Sequence, residues 1–416
     1  MTNGVEDCPD VCPSIGAATR ESSFPRPLRL LVLAHTNRSA GARSVAVNLL
    51  RVLATKPEEV ELTAVVPVGC DYEQIAGVLS PHAIWFDQKG SYMKRFLFDR
   101  IMLPTYVRST KPDVIVSLGS IGMRDPGPAQ VILVQDPHFV YPSAHYGRMT
   151  VLQHLRYFVQ RRQVRHCLGR VATVYGQTQT MLKRASHTFR TGASTKLLPK
   201  AISSNVSSNL DDVSQPPEFA PFTSCFRLIC LTRYYPHKNI ERILQLFQRF
   251  KYKLKDVVVF ITVAPDQHPG ARRLLRRIDQ CGLSERIINI GPVEQRRIPS
   301  LFRHCHALLL PTLMESFSAA YLEAMALNLP VLTSDLDFAR EICGEGALYF
   351  DPWSPESMMK AIIEIRKNAD LRNRLIEAAQ IKLADTHNQS WEDIGSSLIN
   401  DLHNLVCHKP TVRRDI

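Results

Sequence analysis

The chain has 416 residues, a net charge of +12, and 45% apolar against 22% charged residues. That length exceeds what one hydrophobic core usually serves, so two α/β domains are expected, in a composition ordinary for a globular protein. No window approaches eighteen uninterrupted apolar residues, which argues against a membrane-spanning helix.

Residues 1–25 mix acids and polar residues where a secretory signal has a basic end and an apolar run, and they read as a disordered tail. The ten cysteines show neither CxxC pairs nor Cys/His metal spacing, and read as reduced and mostly buried in a cytosolic chain. Without export, the triplets starting at Asn37, Asn205 and Asn388 carry no glycosylation meaning.

From Leu28 the pattern alternates as in parallel α/β layers. Apolar runs at Leu28–Ala34, Leu62–Pro67, Val114–Ser117, Val131–Gln135 and Val171–Tyr175 read as strands, with a helix over Ala42–Leu53. Ser203–Pro221 has the composition of a linker. The alternation then restarts, with strands at Arg227–Leu231, Val257–Thr262, Arg286–Ile290, Ala307–Leu310, Val331–Ser334 and Ala347–Phe350. Helices are expected between them and over Phe317–Leu327, Pro355–Asn368, Leu371–Asp385 and Trp391–Leu405. The expected domains are 26–205 and 223–388, joined by a linker at 206–222 and followed by a C-terminal helix and tail at 389–416. Two such sheets leave a cleft between the C-terminal edges of their strands, where ligands bind.

Charge is uneven. Between Asp136 and Asp211 the chain has eleven Lys and Arg and no acid, a field that favours an anionic partner. The basic, apolar segments Lys94–Lys111 and Arg148–Arg170 fit either an anionic membrane surface or solvated helix faces, with Pro104 interrupting the first.

The richest stretch is Pro311–Asp335. A buried strand ends at Pro311-Thr312, and small residues Ser316 and Ser318 precede a helix. Unpaired N–H groups at such a start make a diphosphate cradle. Glu315 and Glu323 bracket its first turns, Glu323 being expected on an exposed helix start. They suit sugar and ribose hydroxyls, or alternatively serve as a dipole partner and a solvated residue. In Leu231–Asn239, Arg233 and Lys238 bring a bidentate phosphate binder and a movable point charge to another strand end.

Together these residues resemble glycosyltransferase family 4, retaining enzymes of the GT-B fold. The E-x7-E signature matches Glu315 and Glu323, and the phosphate pair matches Arg233 and Lys238. Gly291-Pro292-Val293 resembles the loop that holds the base through its backbone, and Asp335–Glu341 continues the pattern. The resemblance covers 226–400 well and 28–200 loosely. It implies two Rossmann-like domains facing across a cleft, with a nucleotide diphosphate sugar as substrate and neither cofactor nor metal. It places Glu323 on the ribose and Glu315 beside the donor sugar. Ser318 and Ala319 would offer N–H groups to the diphosphate, next to Ser316 and Phe317. Many members have glycine at the positions of Ser316, Ser318 and Asn328.

In the first domain, Gly41 keeps part of the family's glycine-rich loop toward the donor phosphates, or belongs to a plain turn. Many relatives carry a histidine at the strand end where this chain has Gln135. Either His138, three residues on, serves there, or Gln135 does so by hydrogen bonding. Asp335-Leu336-Asp337 spells a metal motif of a different transferase fold and is read as chance.

The reading that results is a retaining transferase of a hexose-type sugar to a glycan, lipid-linked or phosphate-bearing acceptor in surface polysaccharide or glycolipid synthesis. It is expected in the cytoplasm and peripherally at the inner membrane face. A nucleotide-sugar epimerase would need acid/base carboxylates across the cleft, and a non-catalytic nucleotide-sugar binder is the reading from another class. Nucleic acid is not an expected partner, because stacking aromatics and recognition motifs are absent.

Overall fold

The computed structural model describes residues 26–407 except 39, 71, 80–82, 88–91, 203–214 and 387. The tail expected over 1–25 and the linker's residues 206–214 lie outside the described residues. Two parallel sheets organise the rest. The first has seven strands: β1 (Leu28–Leu33), β2 (Val60–Pro67), β3 (Ala83–Phe86), β4 (Val114–Ser117), β5 (Ala129–Val134), β6 (Thr173–Gly176) and β7 (Ser194–Leu197), in the order β3-β2-β1-β4-β5-β6-β7. The second has six: β8 (Phe226–Cys230), β9 (Val257–Ile261), β10 (Ile287–Asn289), β11 (Ala307–Leu310), β12 (Val331–Ser334) and β13 (Ala347–Phe350), ordered β10-β9-β8-β11-β12-β13. The expected parallel α/β architecture is the one observed, and its two facing Rossmann-like domains make the GT-B fold. In each sheet the strand order reverses beside its first strand, between β1 and β4 and between β8 and β11. Loops diverge at such a point and leave a crevice.

Both faces of each sheet are covered, which explains why the central strands are apolar throughout. On the first sheet, Leu30, Val32, Val116, Val131 and Leu133 face helix Ala40–Ala54. The C-terminal helix Trp391–Cys407 joins that same core through Trp391, Ile394, Leu398, Ile399 and Leu402. It comes close because residue 395 is glycine: a Cβ there would fall 2.5 Å from Val52 Cγ1. Asp401 fixes its far end by accepting from Tyr175 Oη at 3.0 Å and pairing with Lys196. The chain therefore crosses to the second domain and returns.

The opposite face of the first sheet carries the segment 92–110 and helix Val151–Leu168. Pro104 does not interrupt the former. A π-turn at Phe98–Met102 lets Leu103 N–H reach the Phe98 carbonyl, and Pro104 falls in the first turn of helix Leu103–Thr110, where its missing N–H is tolerated. Pro217–Phe222, expected to be linker, is a 3-10 turn of the second domain. Its prolines give it a linker's composition, but Phe219 is fully buried against Phe260, with ring centroids 4.1 Å apart.

Candidate functional site

Loops from the strand ends of the two sheets meet. In the second domain the segment after β8 is held open by its neighbours. Thr232 N–H donates to Thr262 Oγ1 at 3.0 Å and Tyr234 N–H to Gln267 Oε1 at 3.0 Å. Asn239 takes a left-handed φ of 56° after the turn Pro236–Lys238 and donates to the carbonyls of Pro311 and Pro352 at 3.1 and 2.9 Å. Asparagine is one of the few side chains that adopt this conformation readily. The β8 loop is thereby tied to the β11 loop, and Leu313 N–H donates to the His237 carbonyl at 2.8 Å.

This tie brings Lys238 onto Glu315. Their side chains form an ion pair, with exposures of 15% and 9%. Arg233, on the same loop, is exposed, and its guanidinium makes no hydrogen bond or ion pair among the described residues. Helix Ala319–Ala326 starts two residues later than expected, so Ser316, Phe317 and Ser318 belong to the approach, with Ser318 as N-cap. Ala319 opens the helix. Glu323 is not on an exposed helix start. It lies in the helix body at 5% exposure, with Lys200 of the first domain nearby. Burial pushes its carboxyl pKa up, and the nearby Lys200 opposes that shift.

Lys200 went unrecognised in the sequence, where it counted only as one charge in the acid-free run. It follows β7, is 6% exposed, and lies near enough to Glu323 and Glu315 to feel both. A lone lysine inside Leu197–Ile202, an otherwise apolar stretch, was the available signal. Gly41 is the second residue of helix Ala40–Ala54, and a Cβ there would lie 3.8 Å from Lys200 Nζ. The Gly291–Val293 loop leaves β10 two strands from β8. Gly291 has a φ of 71°, and the Asn289 carboxamide ties the loop to Val263 with bonds of 3.0 and 2.9 Å. It shares the strand-end side with Arg233 and Lys238 but does not contact them.

Across the seam, Gln135 and His138 separate clearly. Gln135 is buried and donates from Nε2 to the Leu118 carbonyl at 2.7 Å, which ties it to its own domain. His138 reaches the other domain. Asp136 Oδ1 holds its Nδ1 at 2.8 Å, Tyr157 stacks on it at 4.4 Å, and its ring meets that of His237 edge-on at 5.0 Å. His138 Nε2 and His237 Nδ1 are both buried without a hydrogen bond. Burial first, then Lys238 and His138, hold the His237 pKa well below the usual imidazole value.

Further along, Asp337 accepts from Tyr141 Oη at 3.0 Å and pairs with Arg184 at 2.6 Å. Glu341 caps the other domain's helix Gln179–Phe189, accepting from Gln179 and Thr180 N–H at 2.5 and 2.7 Å. Asp335 binds Arg340 through both oxygens, so the D-x-D carboxylates are occupied by protein partners. Among the described residues, no three His, Cys, Asp or Glu side chains are grouped to hold a metal ion. No described helix is long and apolar enough to cross a membrane.

Residues 217–382 match the family described as glycosyl transferases group 1. That match falls within the second domain and covers less than half of the chain. The chain is 29% identical over 140 residues to the O-antigen chain mannosyltransferase RfbU of Salmonella typhimurium, a stretch that is 34% of this chain and 38% of that one. It is 25% identical over 167 residues to O-antigen chain mannosyltransferase B of Escherichia coli, covering 40% of this chain and 42% of that one. The matched stretches thus span about two-fifths of those relatives. The fold superposes on the crystal structure of Anabaena Alr3699/HepE in complex with UDP-glucose with a TM-score of 0.68 and 15% identity, over 91% of this chain and all of that one.

The Lys238–Glu315 pair makes the first test. Lys238→Met strands a buried carboxylate and should destabilise the chain by about 3–5 kcal/mol. The double variant with Glu315→Gln should cost clearly less than the sum of the two single changes in urea unfolding. Additive costs would show that the two charges do not depend on one another.

Proposed function

We propose that the protein is a retaining glycosyltransferase that moves a hexose-type sugar from a nucleotide diphosphate donor to a glycan or lipid-linked acceptor in surface polysaccharide or glycolipid synthesis. The observation that carries this reading is the convergence, at the strand-order reversal of the domain that matches the group 1 glycosyltransferases, of Arg233 and Lys238 with Glu315 and the start of helix Ala319–Ala326. On this reading the N–H groups at Ser318 and Ala319 and the cations of Arg233 and Lys238 take the diphosphate. Glu323 takes the ribose hydroxyls, and the Gly291–Val293 backbone takes the base. Glu315 turns from Lys238 toward the sugar hydroxyls, and Gly41 faces the phosphates from the other domain. His138, held by Asp136 at the seam, lies toward the reacting face of the sugar.

The chemistry asked of the chain is positioning and charge stabilisation. The sugar C1–O bond breaks with its electron pair leaving on the diphosphate, and the acceptor oxygen bonds to C1 on the same face. The acceptor's proton passes to the departing phosphate oxygen. Arg233 and Lys238 stabilise the charge that grows there, so the proposed reaction needs no metal. Turnover should persist in excess chelator; abolition by chelator with rescue by a divalent cation would overturn this.

Because Glu323 is buried and its ionised form costs energy there, Glu323→Gln should leave the melting temperature equal or higher. It should weaken donor binding about tenfold, as expected when a charged hydrogen-bond acceptor is lost. UDP- and GDP-linked sugars serve as the binding panel. Affinity within twofold of wild type would remove Glu323 from the ribose.

The acceptor side of the proposal rests on the first domain. Helix Val151–Leu168 exposes Val151, Leu152, Leu155, Phe158 and Val159, with Val151 86% exposed, beside Arg162 and Arg165. On the same sheet face, segment 92–110 exposes Phe96, Leu97, Ile101 and Met102 near Arg100. Apolar side chains flanked by basic ones suit the interface of an anionic membrane, each basic residue adding about 1 kcal/mol. Arg161 is less available than its sequence position suggests, since it donates to the Phe139 carbonyl at 2.9 Å. Sedimentation with anionic vesicles at low salt should recover the protein, neutral vesicles should recover less, and Leu155→Glu with Phe158→Glu should abolish the difference. Equal recovery on both lipids would leave the surface without a membrane role.

A further inference from the structure

Lys200 has no place in the reading above, yet it lies at the centre of the site. Its side chain is 94% buried by its 6% exposure, and it makes no hydrogen bond or ion pair among the described residues. Its Nζ lies 3.8 Å from the position a Cβ on Gly41 would take, against the first turn of the fifteen-residue helix Ala40–Ala54. That turn contains no acid and carries Arg43. The start of a helix bears about half a positive charge and presents N–H groups without intrahelical partners. An ammonium buried against it is therefore a like-charge contact, relieved only in part by Glu323 and Glu315 and opposed by Lys238. An anion bound beside both answers both needs, accepting from the ammonium and from the helix start.

We propose that Lys200, seated at the start of helix Ala40–Ala54, is the first domain's cation for the distal phosphate of the donor. The inference rests on the nucleotide-sugar reading of the site and adds a residue that reading did not use. Arg233 and Lys238 approach the diphosphate from one domain, Lys200 from the other, so the phosphate bridges the seam.

Binding of UDP, UMP, GDP and GMP to wild type, Lys200→Met, Lys200→Arg and Arg233→Ala, measured by calorimetry, tests it. Wild type should prefer the diphosphate that matches its base. Lys200→Met should lose tenfold or more in diphosphate affinity with little change for the monophosphate, and Lys200→Arg should keep most of it. The nucleotide-free melting temperature of Lys200→Met should equal or exceed that of wild type, because a structural lysine would lower it. Should Lys200→Met unfold, Lys200→Gln carries the same comparison. Diphosphate affinity within twofold of wild type in Lys200→Met, with Arg233→Ala weakened, overturns the role of Lys200 and leaves the donor reading intact. Equal losses for diphosphate and monophosphate overturn the assignment to the distal phosphate. Failure of wild type to bind any of the four overturns the donor reading and this inference with it.

Discussion

Glu315, Glu323, Lys238 and Lys200 lie together where the two domains meet, and all four are largely removed from water. Withdrawing a single ion from water costs several kcal/mol even after relaxation, and only close opposite charge and hydrogen bonds offset it. The second domain arranges that offset for Glu315 through Lys238, whereas Lys200 has no such partner among the described residues of the first domain. Both carboxylates and Lys238 belong to the second domain, while Lys200 follows β7 of the first. The ties around them depend on this constraint: Asn239 binding the β8 and β11 loops together, and the seam contacts that hold Lys200 near its carboxylates.

The seam itself is built from charge that the sequence distributes unevenly. Residues 137–210 contain no acid, and their complement sits in the second domain. Asp337 meets Arg184 and Tyr141, and Glu341 caps helix Gln179–Phe189 at its positive end. Part of the field that sequence reasoning assigned to an external anionic partner is thus internal. Lys196 and Arg161 are likewise engaged within the chain. What remains outward on helix Val151–Leu168 is a narrower basic strip, and its apolar neighbours distinguish it from ordinary solubilising charge.

How much of this was legible follows from what each residue's pattern encodes. Strands β4, β11 and β12 were placed to the residue because fully covered parallel strands are continuous apolar runs, and the half-covered edge strand β13 kept the same apolar run. Strands β3 and β7 escaped because Ser194–Leu197 has every residue exposed and only Phe86 of Ala83–Phe86 is buried, leaving no periodicity to find. Arg233, Lys238, Glu315 and Glu323 were legible through motif spacing, but spacing carries no information about burial, so Glu323 was expected in water. Lys200 was invisible to motif and period alike, since its significance comes from a helix start some 160 residues earlier in the chain. Asn328 shows the reverse case. A family position often held by glycine has a φ of 55° here, which asparagine accepts while receiving a bond from Gln380 Nε2 at 2.8 Å.

The division of charge between domains bears on the proposed reaction. A donor held by one domain that supplied every cation would have its leaving group stabilised before an acceptor was in place, and water would then compete for C1. Placing Lys200 on the first domain makes full stabilisation conditional on both strand-end surfaces closing on the same diphosphate. The first domain is also the one that exposes apolar and basic side chains side by side. On the proposed reading, closure would deliver the acceptor oxygen and the last cation in one movement, excluding water as it does so. On this reading the buried, unpaired ammonium is a cost borne in the donor-free chain, and it is returned when the phosphate bridges the two helix starts.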